Sequence, residues 1–232
     1  MDATVDRSPR GFRDRTDAGR MLVRLLAHYA SCGDLVILAL PRGGVPVASE
    51  IASGLRAPLD VIVVLKISTD RQPELALGAV ADGGAVVLND DLIERLGLPA
   101  SAITAAIATK RALIASRVRS LRGDRAPIDL KGATAILVDD GLATGASMRA
   151  AIAAVRDRGL ARVVVAVPVA ARDAADAIAR VVDDFVAITC PESFVSVGNW
   201  YRSFAQVRDD DVRSMLDGAP GARPADRLER PS

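Results

Sequence analysis

The chain has 232 residues, half of them hydrophobic and 3% aromatic, with a formal net charge of +1. That length suits one domain with appendages and a substantial core, and the balanced charge argues against a general nucleic-acid binder. The two cysteines, Cys32 and Cys190, lie far apart, so neither a disulfide framework nor a zinc site is indicated.

The N-terminal stretch MDATVDRSPRGFRDRTDAGR is charged and carries no apolar targeting segment. The longest apolar run, VVVAVPVAA from Val163 to Ala171, is far short of the roughly 20 residues that span a bilayer. A soluble, cytoplasmic protein with no membrane partner is expected. Residues 1–11 read as a flexible tail. From Asp14 to about Cys32, the residues Ala18, Met21, Leu22, Leu25, Leu26 and Tyr29 fall at helical spacing, with Gly33 as a stop.

DLVILALPRGG then reads as a buried strand running into a Gly-rich turn, VPVASEIASGL as a short helix, and LDVIVVLK as a second buried strand. GAVA and AVVLN flank Asp-Gly-Gly, a hairpin signal. Residues 90–122 read as helical, with Ile103, Ile107, Ile114, Val118 and Leu121 on one stripe. The strand ATAILV, the helix ASMRAAIAAVRDRG, the strand ARVVVAVPVA, a helix from Arg172 to Val182 and the strand FVAITC follow. Residues 217–232 are a polar flexible tail, which leaves 12–216 as the domain.

Strands alternating with helices imply an α/β domain: a mainly parallel sheet of about five strands, flanked by helices and joined by right-handed crossovers. In such sheets ligands sit beyond the carboxyl ends of the strands. The glycine-rich turns after Leu40 and Asp140 fall at such ends, as does Lys66 after the second strand.

The stretch ILVDDGLATGAS, from Ile136 to Ser147, ends an apolar run on two adjacent carboxylates. Asp139 and Asp140 repel one another and need partners. A cis-diol offers two hydroxyl donors, divalent magnesium is another partner, and capping of the following turn and helix is the purely structural alternative. Gly141, Ala143, Gly145 and Ala146 leave the backbone approachable, and Thr144 and Ser147 add hydroxyls. Successive N–H groups ahead of a helix form a phosphate nest. No lysine follows Gly145, which weakens a nucleoside triphosphate reading. A diol pair joined to a monophosphate cradle describes a ribose 5-phosphate.

ILVDDGLATGAS resembles the signature of type I phosphoribosyltransferases, which bind phosphoribosyl pyrophosphate (PRPP). The resemblance implies that Asp139 and Asp140 take the ribose hydroxyls and that Ala143, Thr144, Gly145, Ala146 and Ser147 take the 5-phosphate. LALPRGGVPVASEIA resembles the family's pyrophosphate loop, with Arg42, Gly43 and Gly44 near the diphosphate, and Lys66 resembles a basic residue found after the next strand. An ordinary turn and a solvated lysine are the respective alternatives. The set PRGG, KISTDRQPELALGAVADGG, VDDGLATGAS and VGNWYRSF is similar to a bacterial branch of predicted phosphoribosyltransferases. Ser68-Thr69-Asp70-Arg71 departs from the Gly-Pro turn expected after KI.

The resemblance implies transfer of the 5-phosphoribosyl group to a nitrogenous base with loss of pyrophosphate, in nucleotide metabolism. Arg42 and Lys66 would stabilise the leaving group with magnesium that arrives with PRPP, with no direct protein ligand to the metal. Excluding water calls for a lid. Residues 68–87 are the candidate β-hairpin lid, with Arg71 and Glu74 reaching the ligand or serving as plain surface charges.

A small C-terminal hood would cover the base, with Phe194 and Trp200 stacking on it or only packing. His28 reads as a helix-surface or cap residue, and the basic run Lys110 to Arg125 as a solvated face, a phosphate-proximal arginine or a weak RNA contact. A non-catalytic PRPP-binding regulator is the alternative function. The acceptor is not legible in the sequence, and a homodimer is left open.

Overall fold

The computed structural model describes residues 11–68 and 77–221. Arg15–Leu25 (α1) is capped by Asp14, whose carboxylate accepts from the Asp17 N–H at 2.8 Å, and a 3-10 turn, Ala27–Ser31, extends it. Leu35–Ala39 (β1), Gly44–Leu55 (α2) and Leu59–Val61 (β2) follow. Then come Val64–Ile67 (β3), Gly78–Ala81 (β4), Val86–Leu88 (β5), Asp90–Arg95 (α3) and Ala100–Arg122 (α4). The second half runs Thr134–Val138 (β6), Ala146–Arg156 (α5), Arg162–Val169 (β7), Arg172–Ala179 (α6), Asp184–Thr189 (β8) and Asp209–Asp217 (α7).

The main sheet is fully parallel, in the order β2-β1-β6-β7-β8. Its strands are unbroken apolar runs because both faces are covered. Alternate residues divide between two cores, as a period of two requires. Ile37, Ala39, Ile136, Val138 and Val164 face a core completed by α1, α2, α4 and α7. Val36, Leu38, Leu137, Val163 and Val165 face one completed by α5 and α6, through Met148, Ile152, Val155 and Ile178. The five-stranded α/β architecture expected from the sequence is the one observed.

LDVIVVLK is two strands instead of one. Val61 pairs with Ala39 in the parallel sheet, but after Val63 the chain turns away, and Val64 pairs antiparallel with Ala81. Strands β3, β4 and β5 form a separate three-stranded antiparallel sheet. A continuous apolar run carries no mark of where it changes partners. The Asp-Gly-Gly hairpin is present, closed by the Ala81 N–H donating to the Ala85 carbonyl at 2.9 Å. Ile67, Leu77 and Val80 are buried in the first core, so the hairpin is built into the domain.

A buried ion pair ties this second sheet to the first. Arg122 Nε donates to Asp60 Oδ1 at 2.9 Å, and its Nη2 reaches the Val61 carbonyl at 3.1 Å and Asp82 Oδ2 at 3.3 Å. Residues 90–122 form two helices separated at Gly97-Leu98-Pro99. Proline is favoured at helix starts and disrupts interiors. Ile103, Ile114 and Leu121 of the expected stripe are buried, and Ile107 and Val118 pack against the same core.

Helix α7 has no counterpart in the sequence reading: only Val212 and Leu216 of its nine residues are buried. Ala219 is also buried in the first core, so packing continues beyond residue 216. Near the chain's other end, the Phe12 N–H donates to the Trp200 carbonyl at 2.7 Å, and Arg202 N–H and Ser203 N–H donate to Phe12 and Arg13 carbonyls at 2.9 Å. Among the described residues no helix is long and apolar enough to cross a membrane.

Candidate functional site

Strands β1 and β6 are neighbours, so the turns that follow them emerge side by side. The Leu40 N–H donates to the Val138 carbonyl at 2.8 Å, which fixes the turn carrying Arg42, Gly43 and Gly44 against Asp139 and Asp140. The Pro41–Arg42 peptide is cis. The approach leaves no room for side chains. A Cβ on Gly43 would fall on the Asp140 carboxylate, 2.6 Å from its Cγ, and one on Gly44 would sit 2.6 Å from the Val138 carbonyl oxygen.

Both carboxylates are half-buried. Asp139 Oδ1 accepts from the Asp140 N–H at 2.8 Å. Burial holds Asp139 well above the usual carboxylate range, and the charge of Asp140 adds to the effect. Burial raises Asp140 too, with the Arg15 guanidinium pulling the other way. Arg15 comes from the first turn of α1, and its Nε donates to Asp140 Oδ2 at 2.8 Å. Tyr201 OH donates to the Asp140 backbone carbonyl at 2.5 Å, and burial pushes this phenol far above its ordinary range.

The loop after the acid pair is anchored at its start, where the Leu142 N–H donates to the Val169 carbonyl at 2.8 Å. Gly145 has φ +72°, in the left-handed region that favours glycine, and it leads into α5. Ala143 and Thr144 are exposed, and Ala146 and Ser147 open the helix, so their N–H groups are at a helix N-terminus. Thr144 Oγ1 accepts from the Ala146 N–H at 3.4 Å. Arg149, one turn into α5, donates to the Thr144 carbonyl at 3.3 Å.

The structure therefore brings together Asp139, Asp140, Arg42, Gly43 and Gly44, and runs the loop 143–147 directly on from the acids. It does not place Lys66 at the end of a parallel strand. Lys66 is exposed in β3, paired with Ala79, because the run that carries it changes sheets. Arg71 and Glu74 lie outside the described residues. Phe194 and Trp200 are half-buried and pack beside Phe12, Val169 and Tyr201. Trp200 also lines an open cavity of about 670 Å³ beyond β8, with Thr189, Glu192 and Asn199.

Sequence reasoning missed Arg15 and Asp209. Asp209 Oδ1 accepts from Arg42 at 3.4 Å, while its Oδ2 accepts from Arg117 at 2.9 Å and from Ser120 at 3.2 Å. Neither residue sits in a motif; both reach the site only through helix packing. Among the described residues no group of three His, Cys, Asp or Glu side chains forms a metal cluster.

A family model described as "Phosphoribosyl transferase domain" matches residues 16–199. Two curated proteins from two strains of Mycobacterium tuberculosis, named as candidate phosphoribosyl transferases, are 44% identical over 208 residues, covering 90% of this chain and 47% of theirs. The chain thus spans about half the length of these relatives. The crystal structure of TT1426 from Thermus thermophilus is similar at 40% identity with a TM-score of 0.75, covering 89% of this chain and 97% of that one.

Proposed function

The chain belongs to the phosphoribosyl transferase domain family, and from that premise we propose that it transfers the 5-phosphoribosyl group of PRPP to a nitrogenous base, releasing pyrophosphate. The observation that carries this reading is the packing of the Arg42-Gly43-Gly44 turn onto the Asp139-Asp140 pair. A sugar diol on the acids and a diphosphate on the turn would then be adjacent, as they are in PRPP.

In this reading Asp139 and Asp140 accept the ribose hydroxyls. The N–H groups of residues 143–147 and the hydroxyls of Thr144 and Ser147 take the 5-phosphate, with α5 behind them. Arg42 presents a planar fork to the departing diphosphate. Lys66, exposed on β3, would add a second positive charge for the same anion. As the C1–O bond breaks, its electron pair leaves with pyrophosphate, and the base nitrogen closes on C1 through an oxocarbenium-like transition state. Positioning and charge stabilisation supply the acceleration.

Magnesium arriving with the donor would add positive charge at the leaving group; no direct protein ligand is assigned. The hairpin half of the expected lid, residues 77–87, is packed into the domain, and the remainder, with Arg71 and Glu74, lies outside the described residues. The cavity lined by Trp200 beyond β8 is the proposed seat of the base.

Calorimetry with PRPP and magnesium tests the donor site. Binding is expected for the wild type and loss of about tenfold or more for Asp139→Asn or Asp140→Asn. Undiminished binding by both variants would sink the assignment. Pyrophosphate release across a panel of purines, pyrimidines and pyridine carboxylates then identifies the acceptor. Tight binding with no release on any of them would make the protein a PRPP-binding regulator instead.

A further inference from the structure

Arg15 is 125 residues from Asp140 in sequence, yet its side chain is only 11% exposed at the centre of the site. Its Nε and Nη2 lie 2.8 and 2.7 Å from Asp140 Oδ2, and its Nη1 donates to the Ala205 carbonyl at 2.9 Å. The guanidinium lies 3.7 Å above the centre of the Phe204 ring, a cation–π contact that fixes its plane. A guanidinium has more donors than these contacts use.

Arg15 and Arg42 line one cavity of about 370 Å³, together with Gly43, Asp140 and Phe204. Two arginines converge there, and each is held by a carboxylate: Arg15 by Asp140, and Arg42 by Asp209. Two guanidiniums converging beside a glycine turn offer the forked donors that a polyanion takes up. Asp140 Oδ2, the oxygen that Arg15 occupies, is also one that a sugar hydroxyl would claim.

We propose that Arg15 is a substrate-contacting residue, a second guanidinium for the diphosphate of the donor, which rests on Asp140 until the sugar displaces it. The proposal rests on the donor reading above. On binding, the ribose hydroxyl takes over the Asp140 oxygen, and the freed edge of the guanidinium turns to the diphosphate while Phe204 keeps its plane. A residue that merely braced Asp140 would act on the sugar end of the donor; one that contacts diphosphate acts on the other end. That difference can be measured.

The test is calorimetry of the full chain with two probes, magnesium pyrophosphate and ribose 5-phosphate, for wild type, Arg15→Gln and Arg15→Lys. Arg15→Gln is expected to weaken pyrophosphate about tenfold or more and not to weaken ribose 5-phosphate, because the Asp140 oxygen it vacates is the one a sugar hydroxyl claims; retained ribose 5-phosphate binding also shows that the site is folded. Arg15→Lys, which keeps the charge without the fork, is expected to fall between the two. Unchanged pyrophosphate affinity, or equal weakening of both probes, would overturn the proposal while leaving the donor reading standing. A wild type that binds neither probe overturns both.

Discussion

Gly43→Ala puts the proposed sugar grip under direct strain. The added Cβ would land on the Asp140 carboxylate, 2.6 Å from Cγ, well inside van der Waals contact. Asp140 has little freedom to move aside, because Arg15 holds its Oδ2 at 2.7 Å. Overpacking of this kind costs about 1–3 kcal/mol. Relief by rotating the carboxylate would break a charge-assisted contact worth about 1.5–3 kcal/mol. Either way, the carboxylate leaves the position from which it would accept a hydroxyl, and PRPP binding should fall roughly 10- to 100-fold.

Gly44→Ala is the control. Its Cβ would meet the Val138 carbonyl at 2.6 Å and the Asp139 Cα at 2.9 Å, and main chain at a strand end yields less readily than a side chain. That variant should lose thermal stability as well as binding. The assay is calorimetry with PRPP and magnesium beside a melting curve. Wild-type PRPP affinity in a folded Gly43→Ala protein would refute the role given to Asp140.

Arg122→Ala strands Asp60 in the interior, where the two side chains are 7% and 8% exposed. Breaking such a pair from one side costs about 3–5 kcal/mol, and a loss of unfolding free energy in denaturant smaller than about 1 kcal/mol would show Asp60 to be solvated. Tyr29 donates to Asp184 Oδ2 at 2.6 Å, and burial first, then this bond, pushes its phenol up to about 12 from 10.0. The native state keeps the proton that the unfolded chain gives up, so stability present below pH 10 is lost as pH rises towards 12. Tyr29→Phe should flatten the alkaline fall in melting temperature, and an identical fall in both proteins would assign it elsewhere.

The five strands of the parallel sheet were legible because each is a dense apolar run bounded by polar turns, and the acid pair because two carboxylates at the end of such a run stand out. What escaped is instructive in physical terms. The run 59–66 changes sheets at Ile62-Val63 because of partners supplied by residues 78–82, which nothing local announces. Helix α7 has too few apolar residues to show a period. Arg15 and Asp209 were invisible as site residues because a lone charge near a helix start reads as a cap or a solvated group. Only tertiary packing reveals that Arg15 points back across the molecule to Asp140.

The strap that joins Phe12 and Arg13 to Trp200–Ser203 sets a timetable for synthesis. Tyr201, whose hydroxyl closes on the Asp140 carbonyl, follows Asp140 by 61 residues, or roughly 3–12 s at ordinary rates of translation. During that interval the nascent chain can pair β1 with β6 and bring Arg15 to the acids. It still has no Phe204 beneath the guanidinium and no Asp209 to hold Arg42. The sheet thus precedes its own pocket. A chain that ends before Tyr201 holds all five strands of the parallel sheet but lacks the phenol that closes on the Asp140 carbonyl.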